Sequence, residues 1–296
     1  MTDLLDRSGL VIVDKPAGMT SHDVIARLRR FFGTRKVGHS GTLDPMATGV
    51  LVVGLERGTK FLAHLVTDTK MYQATIRLGQ STTTDDKEGE VLTTTPSHAS
   101  VEDITAGVAK LTGEIMQRPS SVSAIKINGK RAHELVRAGE KVELPERPVT
   151  VHRFDILDIR QEGDFQDIDV EVFCSSGTYI RSLARDLGAA LGVGGHLTAL
   201  RRTTVGPYTL DDAQTLEQLE DTPRLSLSLD QALAKGFPVL ELTQQEGADL
   251  AMGKWLAPRG VKGVHAAVTP EGHAVALVKE KGKRLSTVFV ARPSTL

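Results

Sequence analysis

Two apolar rhythms alternate along the chain. Gly9-Leu10-Val11-Ile12-Val13-Asp14 is an apolar run closed by Lys15-Pro16-Ala17-Gly18, which predicts a short buried strand. Thr20 or Ser21 then caps a helix whose inner stripe is Val24, Ile25, Leu28 and Phe32, with Arg27, Arg29 and Arg30 facing outward. Residues 50–53 predict a second strand and residues 58–66 a short helix. Between residues 71 and 78, Tyr72, Ala74, Ile76 and Leu78 alternate with Gln73, Thr75 and Arg77, as a half-buried strand requires. A polar loop follows at 82–89, and Ser100 with Asp103 forms the capping box of a helix running to Leu111.

Beyond Pro119 the pattern changes. Two strand-like pieces flank Asn128-Gly129, a helical pattern covers 130–138, and the stretch is basic and poor in large apolar residues, so it reads as an arm lying against the body. Strands are expected at 149–159 and 167–174, a helix at 179–191 and a further strand at 197–205. After Tyr208 the chain turns acidic as far as Asp230, and from about residue 235 it has its own helix (243–252) and several short strands. A length of 296 residues suits two domains. The expected division is 1–234 and 235–296.

Composition narrows the classes. With 40% hydrophobic and 25% charged residues the chain falls in the soluble globular range, and it has no apolar run of 18 residues. The first residues lack the apolar core of a secretory signal, so a cytoplasmic protein is expected. Cys174 is the only cysteine, which excludes an internal disulfide and a multi-cysteine zinc site. Net charge is −1, yet charges segregate: Arg118 to Arg153 holds eight Lys/Arg against four Glu, and Phe154 to Phe173 seven acids against Arg160. Such runs build a local basic face for phosphates or are plain solvated surface, and the sequence leaves both open. Twelve aromatic residues are too few for a broad base-stacking platform.

Several motifs fail. Ser123-Ala124-Ile125-Lys126 matches S-x-x-K without its partner motifs, Gly38-His39-Ser40-Gly41-Thr42 falls short of a nucleophile elbow, and His133-Glu134 has no second histidine four residues on. No phosphate-cradling or dinucleotide loop is present, so neither a metal nor a cofactor is expected. What remains is the run Gly38 to Gly49, where Gly38, Gly41 and Gly49 permit tight turns and Pro45 biases Asp44 toward an extended backbone. Asp44 either nucleates a local turn or, with His39, Ser40, Thr42 and Thr48, faces a ligand.

Gly38-His39-Ser40-Gly41-Thr42-Leu43-Asp44-Pro45-Met46-Ala47-Thr48-Gly49 resembles the G-H-x-G-x-L-D-P-x-A-x-G signature of the TruB family of tRNA pseudouridine-55 synthases. Residues 13–21 (VDKPAGMTS) are similar to the opening D-K-P-x-G-x-[ST]-S of that family, and Lys70-Met71-Tyr72 resembles its K-x-Y element. Residues 78–85 (LGQSTTTD) are similar to L-G-x-x-T-x-T-x-D, Gly177-Thr178-Tyr179-Ile180-Arg181 to G-T-Y-[IV]-R, and Leu200-Arg201-Arg202 to L-R-R. One departure stands out: Val122 replaces an aromatic in the P-P-x-[YF]-S-A-x-K element.

The resemblance implies an α+β fold: a pseudouridine-synthase-like mixed, mainly antiparallel sheet with flanking helices and a catalytic cleft, then a small β-rich PUA-like C-terminal domain. It implies isomerisation of uridine 55 in the tRNA T-loop, with Asp44 as nucleophile, Arg181 as its partner and Tyr72 as the residue stacking on the extruded base and serving as late general base. His39 would fill the space the base vacates, Tyr179 and Leu200 would line the pocket, and Lys15 would support the site or a nearby phosphate. The basic arm at 118–153 would grip the T-arm and elbow of the tRNA. A monomer acting without membrane or metal is expected. A second reading is a tRNA-binding folding factor whose isomerase activity is dispensable.

Overall fold

The computed structural model of the chain describes residues 3–65, 69–123, 126–127, 130–139 and 142–295. The chain is α+β with mainly antiparallel sheets, and it divides into two compact units. One comprises Met1–Pro45, Gly49–Val66 and Val205–Leu296; the other comprises Met46–Thr48 and Thr67–Thr204.

In the first unit, strand β1 (Gly9–Lys15) leads to helix α1 (Ser21–Phe31), the short strand β2 (Val37–Ser40) and strand β3 (Thr48–Leu55). β3 pairs antiparallel with β1 on one side, Gly9 facing Leu55 and Lys15 facing Gly49, and with β2 on the other. The unbroken apolar runs of β1 and β3 are explained by burial of nearly every position. Thr20 is the α1 N-cap, with a complete capping box to Asp23, and Val24, Ile25 and Leu28 are buried as their spacing predicts.

Leu10, Ile12, Val50 and Val52 share one core with Phe61, Leu65, Tyr208, Leu229 and Leu233, and this core continues into Leu277 and Phe289 near the C-terminus. Close packing here depends on Gly58, where a Cβ would stand 2.1 Å from the Gly9 carbonyl oxygen. The C-terminal strands form a four-stranded sheet in the order 239–241, 264–268, 274–281, 284–290, with the first pair parallel and the others antiparallel. Helix Gln244–Ala251 covers it through Leu250, beside Leu242, Val275 and Leu285. Arg57 ties the early chain to this sheet by donating to the Val290 and Ala291 carbonyls at 2.5 and 2.7 Å.

In the second unit, strand β4 (Lys70–Leu78) lies between the strands Gly195–Val205 and Phe165–Cys174, and the sheet continues through Arg147–Glu162 to Gly113–Gln117. Its alternation holds throughout: Tyr72, Ala74, Ile76 and Leu78 are buried and Gln73 is exposed. Helices Val101–Lys110 and Ile180–Ala190 pack together, and Leu187 reaches into the space a side chain at Gly107 would take. The Ser100 box forms by half, the hydroxyl accepting from the Asp103 N–H; Asp103 is exposed in the first turn, where the helix dipole favours it.

The acidic run at 154–173 is matched across strands. Arg77 binds Asp167 at 2.8 Å, Arg153 binds Glu171 at 2.6 Å, and Arg160 binds Asp169 and holds that carboxyl below the usual range. Asn128-Gly129, between the two strand-like pieces expected in the arm, lies outside the described residues, as do Ala124 and Ile125; Lys126–Ile127 pairs with Lys130–Arg131, and helix Ala132–Arg137 follows. No helix among the described residues is long and apolar enough to cross a membrane.

Cys174 ends its strand fully buried, and desolvation pushes its thiol up to about 11. At pH 8 only about 0.1% would then be thiolate. Iodoacetamide at pH 8 should therefore leave the native protein unmodified for hours and label it fully in urea. Rapid native labelling would contradict the burial.

Candidate functional site

Asp44 lies between two tethered neighbours. Ser21, the first residue of α1, both accepts from the Leu43 N–H at 3.0 Å and donates to the Leu43 carbonyl at 3.2 Å. On the other side, the Pro45 carbonyl accepts from the Gly18 N–H at 2.8 Å and from the Lys15 ammonium at 3.3 Å. The 13–21 block thus clamps the acid-bearing loop on both flanks of Asp44, while Pro45 restricts the Asp44 backbone. Leu43, Met46 and Ala47 are buried, and Asp44 itself is half-buried.

Lys15 is fully buried, and its ammonium also donates to the Pro16 and Met19 carbonyls at 2.8 and 2.6 Å. A buried ammonium is tolerated where each donor meets an acceptor, and three carbonyls supply that here. Of the two roles expected for Lys15, support of the loop fits this burial and phosphate contact does not. Lys15→Met removes a charge-assisted donor from three carbonyls, and a loss of about 3 kcal/mol is expected. Thermal unfolding checks this; an unchanged midpoint would contradict it. His39 lies on β2 opposite Val53, half-buried and edge-to-face with His22 at 5.8 Å.

The second unit carries the other group. Arg181, 4% exposed in the first turn of helix 180–190, is a buried cation and not a surface one. Its guanidinium donates to the Thr84 carbonyl at 2.9 Å, the Ser120 hydroxyl at 3.2 Å and the Val122 carbonyl at 3.0 Å, and lies 3.9 Å from Asp86. Asp86 in turn accepts from the Thr84 hydroxyl and the Glu88 N–H. One helical turn on, Arg185 meets Asp85 at 3.3 Å; burial pushes the Asp85 carboxyl up and Arg185 opposes it. Asp85 holds a positive φ of 62°, which lets two consecutive acids address two arginines one turn apart.

Tyr179 is held by its backbone, donating to Gln117 at 2.8 Å and accepting from it at 3.1 Å. Tyr72 is buried on β4 opposite Val172, and Leu200 is buried on the adjacent strand 195–205. The first unit therefore carries Lys15, His39 and Asp44, and the second carries Tyr72, Tyr179, Arg181 and Leu200.

Asp86, Asp85, Arg185, Ser120 and Gln117 escape the sequence reading. The L-G-x-x-T-x-T-x-D pattern, counted from Leu78, ends on Asp86, so the spacing held a signal that stopping at Asp85 missed by one residue. Val122 touches Arg181 through its carbonyl, a contact any side chain at that position allows.

Residues 29–180 match the family model of the TruB family pseudouridylate synthase N-terminal domain. Residues 181–234 match that of the tRNA pseudouridylate synthase B C-terminal domain, and residues 237–292 that of the tRNA pseudouridine synthase II C-terminal region. The tRNA pseudouridine synthase B of Corynebacterium aurimucosum is 72% identical over 298 residues, covering 100% of both chains. That of Nocardia farcinica is 62% identical over 289 residues, covering 97% of this chain and 94% of its own. Among solved structures, a chain from the crystal structure of a Cbf5-Nop10-Gar1 complex superposes with a TM-score of 0.75 at 27% identity, covering 98% of this chain and 87% of that one. A chain of an H/ACA RNP bound to a substrate RNA superposes with a TM-score of 0.73 at 25% identity, covering 98% and 86%.

Proposed function

Because the chain belongs to the TruB family of pseudouridylate synthases, we propose that it isomerises uridine 55 in the T-loop of tRNA to pseudouridine. The observation that carries this reading is the clamped loop: an acid held at both flanks, by Ser21 on Leu43 and by Lys15 and Gly18 on Pro45. A folding factor has no need of an acid so fixed.

In this reading Asp44 bonds to the nucleoside, the N1–C1′ bond breaks, the uracil turns and joins the sugar through C5, and the bond to Asp44 breaks to restore the free carboxylate. The C5 hydrogen leaves as a proton and N1 gains one, so the step is redox-neutral and moves no phosphate. The uridine must first leave its stack, at a cost of about a few kcal/mol. Arg181 serves as the partner of Asp44 in the reaction, Tyr72 stacks on the base and takes the C5 proton, and Tyr179 and Leu200 line the pocket. His39 fills the space the base leaves, and Lys15 positions the loop. Residues 1–234 carry the chemistry, with the arm at 118–153 gripping the T-arm through phosphates, and residues 235–296 form a PUA-like tail. The protein acts as a monomer in the cytoplasm.

Tritium release from tRNA labelled at uridine C5 tests the reaction. Pure protein without added cofactor should release one tritium per tRNA; no release from a tRNA it binds would overturn the assignment.

A further inference from the structure

The outward arginines of α1 take no part in the chemistry above. The helix ends at Phe31, and Gly33 just beyond it has a φ of 61° that turns the chain back, so that the Gly33 and Thr34 N–H groups donate to the Arg30 and Arg29 carbonyls. This turn sets Arg35 beside the last helical turn. Ala26, Arg29, Arg30, Gly33, Thr34 and Arg35 line one open groove, with Ala26 and Gly33 as the small residues among three arginines.

We propose that Arg29, Arg30 and Arg35 form a second phosphate-binding groove, which holds the tRNA backbone outside the reacting loop. This inference rests on the proposed function for its RNA. Two acids stand near the groove, Glu220 and the buried Glu56, which accepts from the lining Thr34 hydroxyl at 2.5 Å. Glu220 stands 3.9 Å from Arg30, with both side chains more than half exposed, a pairing worth little. Arg29 gives one of its five donors to the Val37 carbonyl at 3.3 Å. Lys36, next in the chain, points to the buried Glu56 at 3.7 Å and is not counted in the groove. The helix dipole accounts for arginines in the last turn of α1, but not for Arg35 beyond its end. Three guanidinium forks around a small-residue floor match a phosphate, which accepts bidentate hydrogen bonds.

Position favours the same RNA that meets Asp44. The other end of α1 is Ser21, which holds Leu43, and 11 helical residues span about 16 Å. A stacked nucleic-acid strand rises about 3.4 Å per nucleotide, so the groove lies about five nucleotides from the acid loop along such a strand.

The test compares tRNA binding and turnover across salt for wild type, a triple variant (Arg29→Gln, Arg30→Gln, Arg35→Gln) and the corresponding triple Lys variant. Each lost phosphate contact should lower the salt slope by about one, so the Gln triple should show a slope shallower by two to three and affinity at least about tenfold weaker. Its kcat at saturating tRNA should stay within about twofold, and the Lys triple should keep most of the affinity because charge is retained. An unchanged slope and affinity in the Gln triple would overturn the groove, and so would an equal loss in the Lys triple. If the Gln triple fails to fold, Arg35→Glu, outside the helix, carries the test, with a slope shallower by about one expected and an unchanged slope contradicting it. Wild-type protein that binds tRNA with the expected salt response but releases no tritium would sink the functional reading and leave the groove standing; an active wild type with an indifferent Gln triple would do the reverse.

Discussion

Asp44→Asn should abolish pseudouridine formation, lowering tritium release by about 10⁴-fold or more, while tRNA affinity stays within about threefold. The amide keeps the size and planarity of the carboxylate but loses the nucleophile, and the tethers on Leu43 and Pro45 do not involve the Asp44 side chain. The loop should therefore hold its shape, and the thermal midpoint should move little. Activity near wild-type level would remove Asp44 from the chemistry. Joint loss of activity and binding would assign it a role in holding RNA instead.

Arg181→Met should cost both stability and turnover. The guanidinium joins the Thr84 carbonyl, the Ser120 hydroxyl and the Val122 carbonyl, and both it and Asp86 are nearly inaccessible. Removing one member of a buried pair leaves the other charge uncompensated, at about 3–5 kcal/mol. A chain of this size loses about 2–4 °C per kcal/mol, so the midpoint should fall by roughly 6–20 °C. Activity of the folded fraction should fall by at least about 10²-fold through lost charge stabilisation. The variant Arg181→Met with Asp86→Leu separates the two effects: the apolar pair should recover much of the stability and none of the turnover. Recovery of both would make Arg181 a purely structural cation.

Much of this was legible in the sequence, for identifiable reasons. Strand β4 announces itself because one face is buried and the other is not, and α1 because its apolar spacing and Thr20 cap agree. The acid loop stands out by its glycines, Asp44 and Pro45. Pairings between distant residues were not legible. Nothing local marks Ser21 as the partner of Leu43 or Lys15 as a donor to the Pro45 carbonyl, since those contacts exist only once residues 15–21 and the loop are side by side. Arg181 has the spacing of an ordinary helix cation; the turn at 84–86, the Ser120 hydroxyl and the backbone of Val122 make its surroundings polar and dry. Asp85 and Asp86 are chemically identical neighbours, distinguished by a backbone reversal that a sequence does not display. The acidic run at 154–173 looked like a charge block because its partner Arg77 comes from a strand far away in the chain.

Whether this protein makes one defined carbon–carbon glycosidic link in tRNA is best decided by a nucleotide-resolution pseudouridine map of unmodified tRNA after incubation with the purified chain. A single new pseudouridine at position 55, absent with Asp44→Asn, is the expected result. A map with no new pseudouridine, or the same map from the Asn variant, would contradict it.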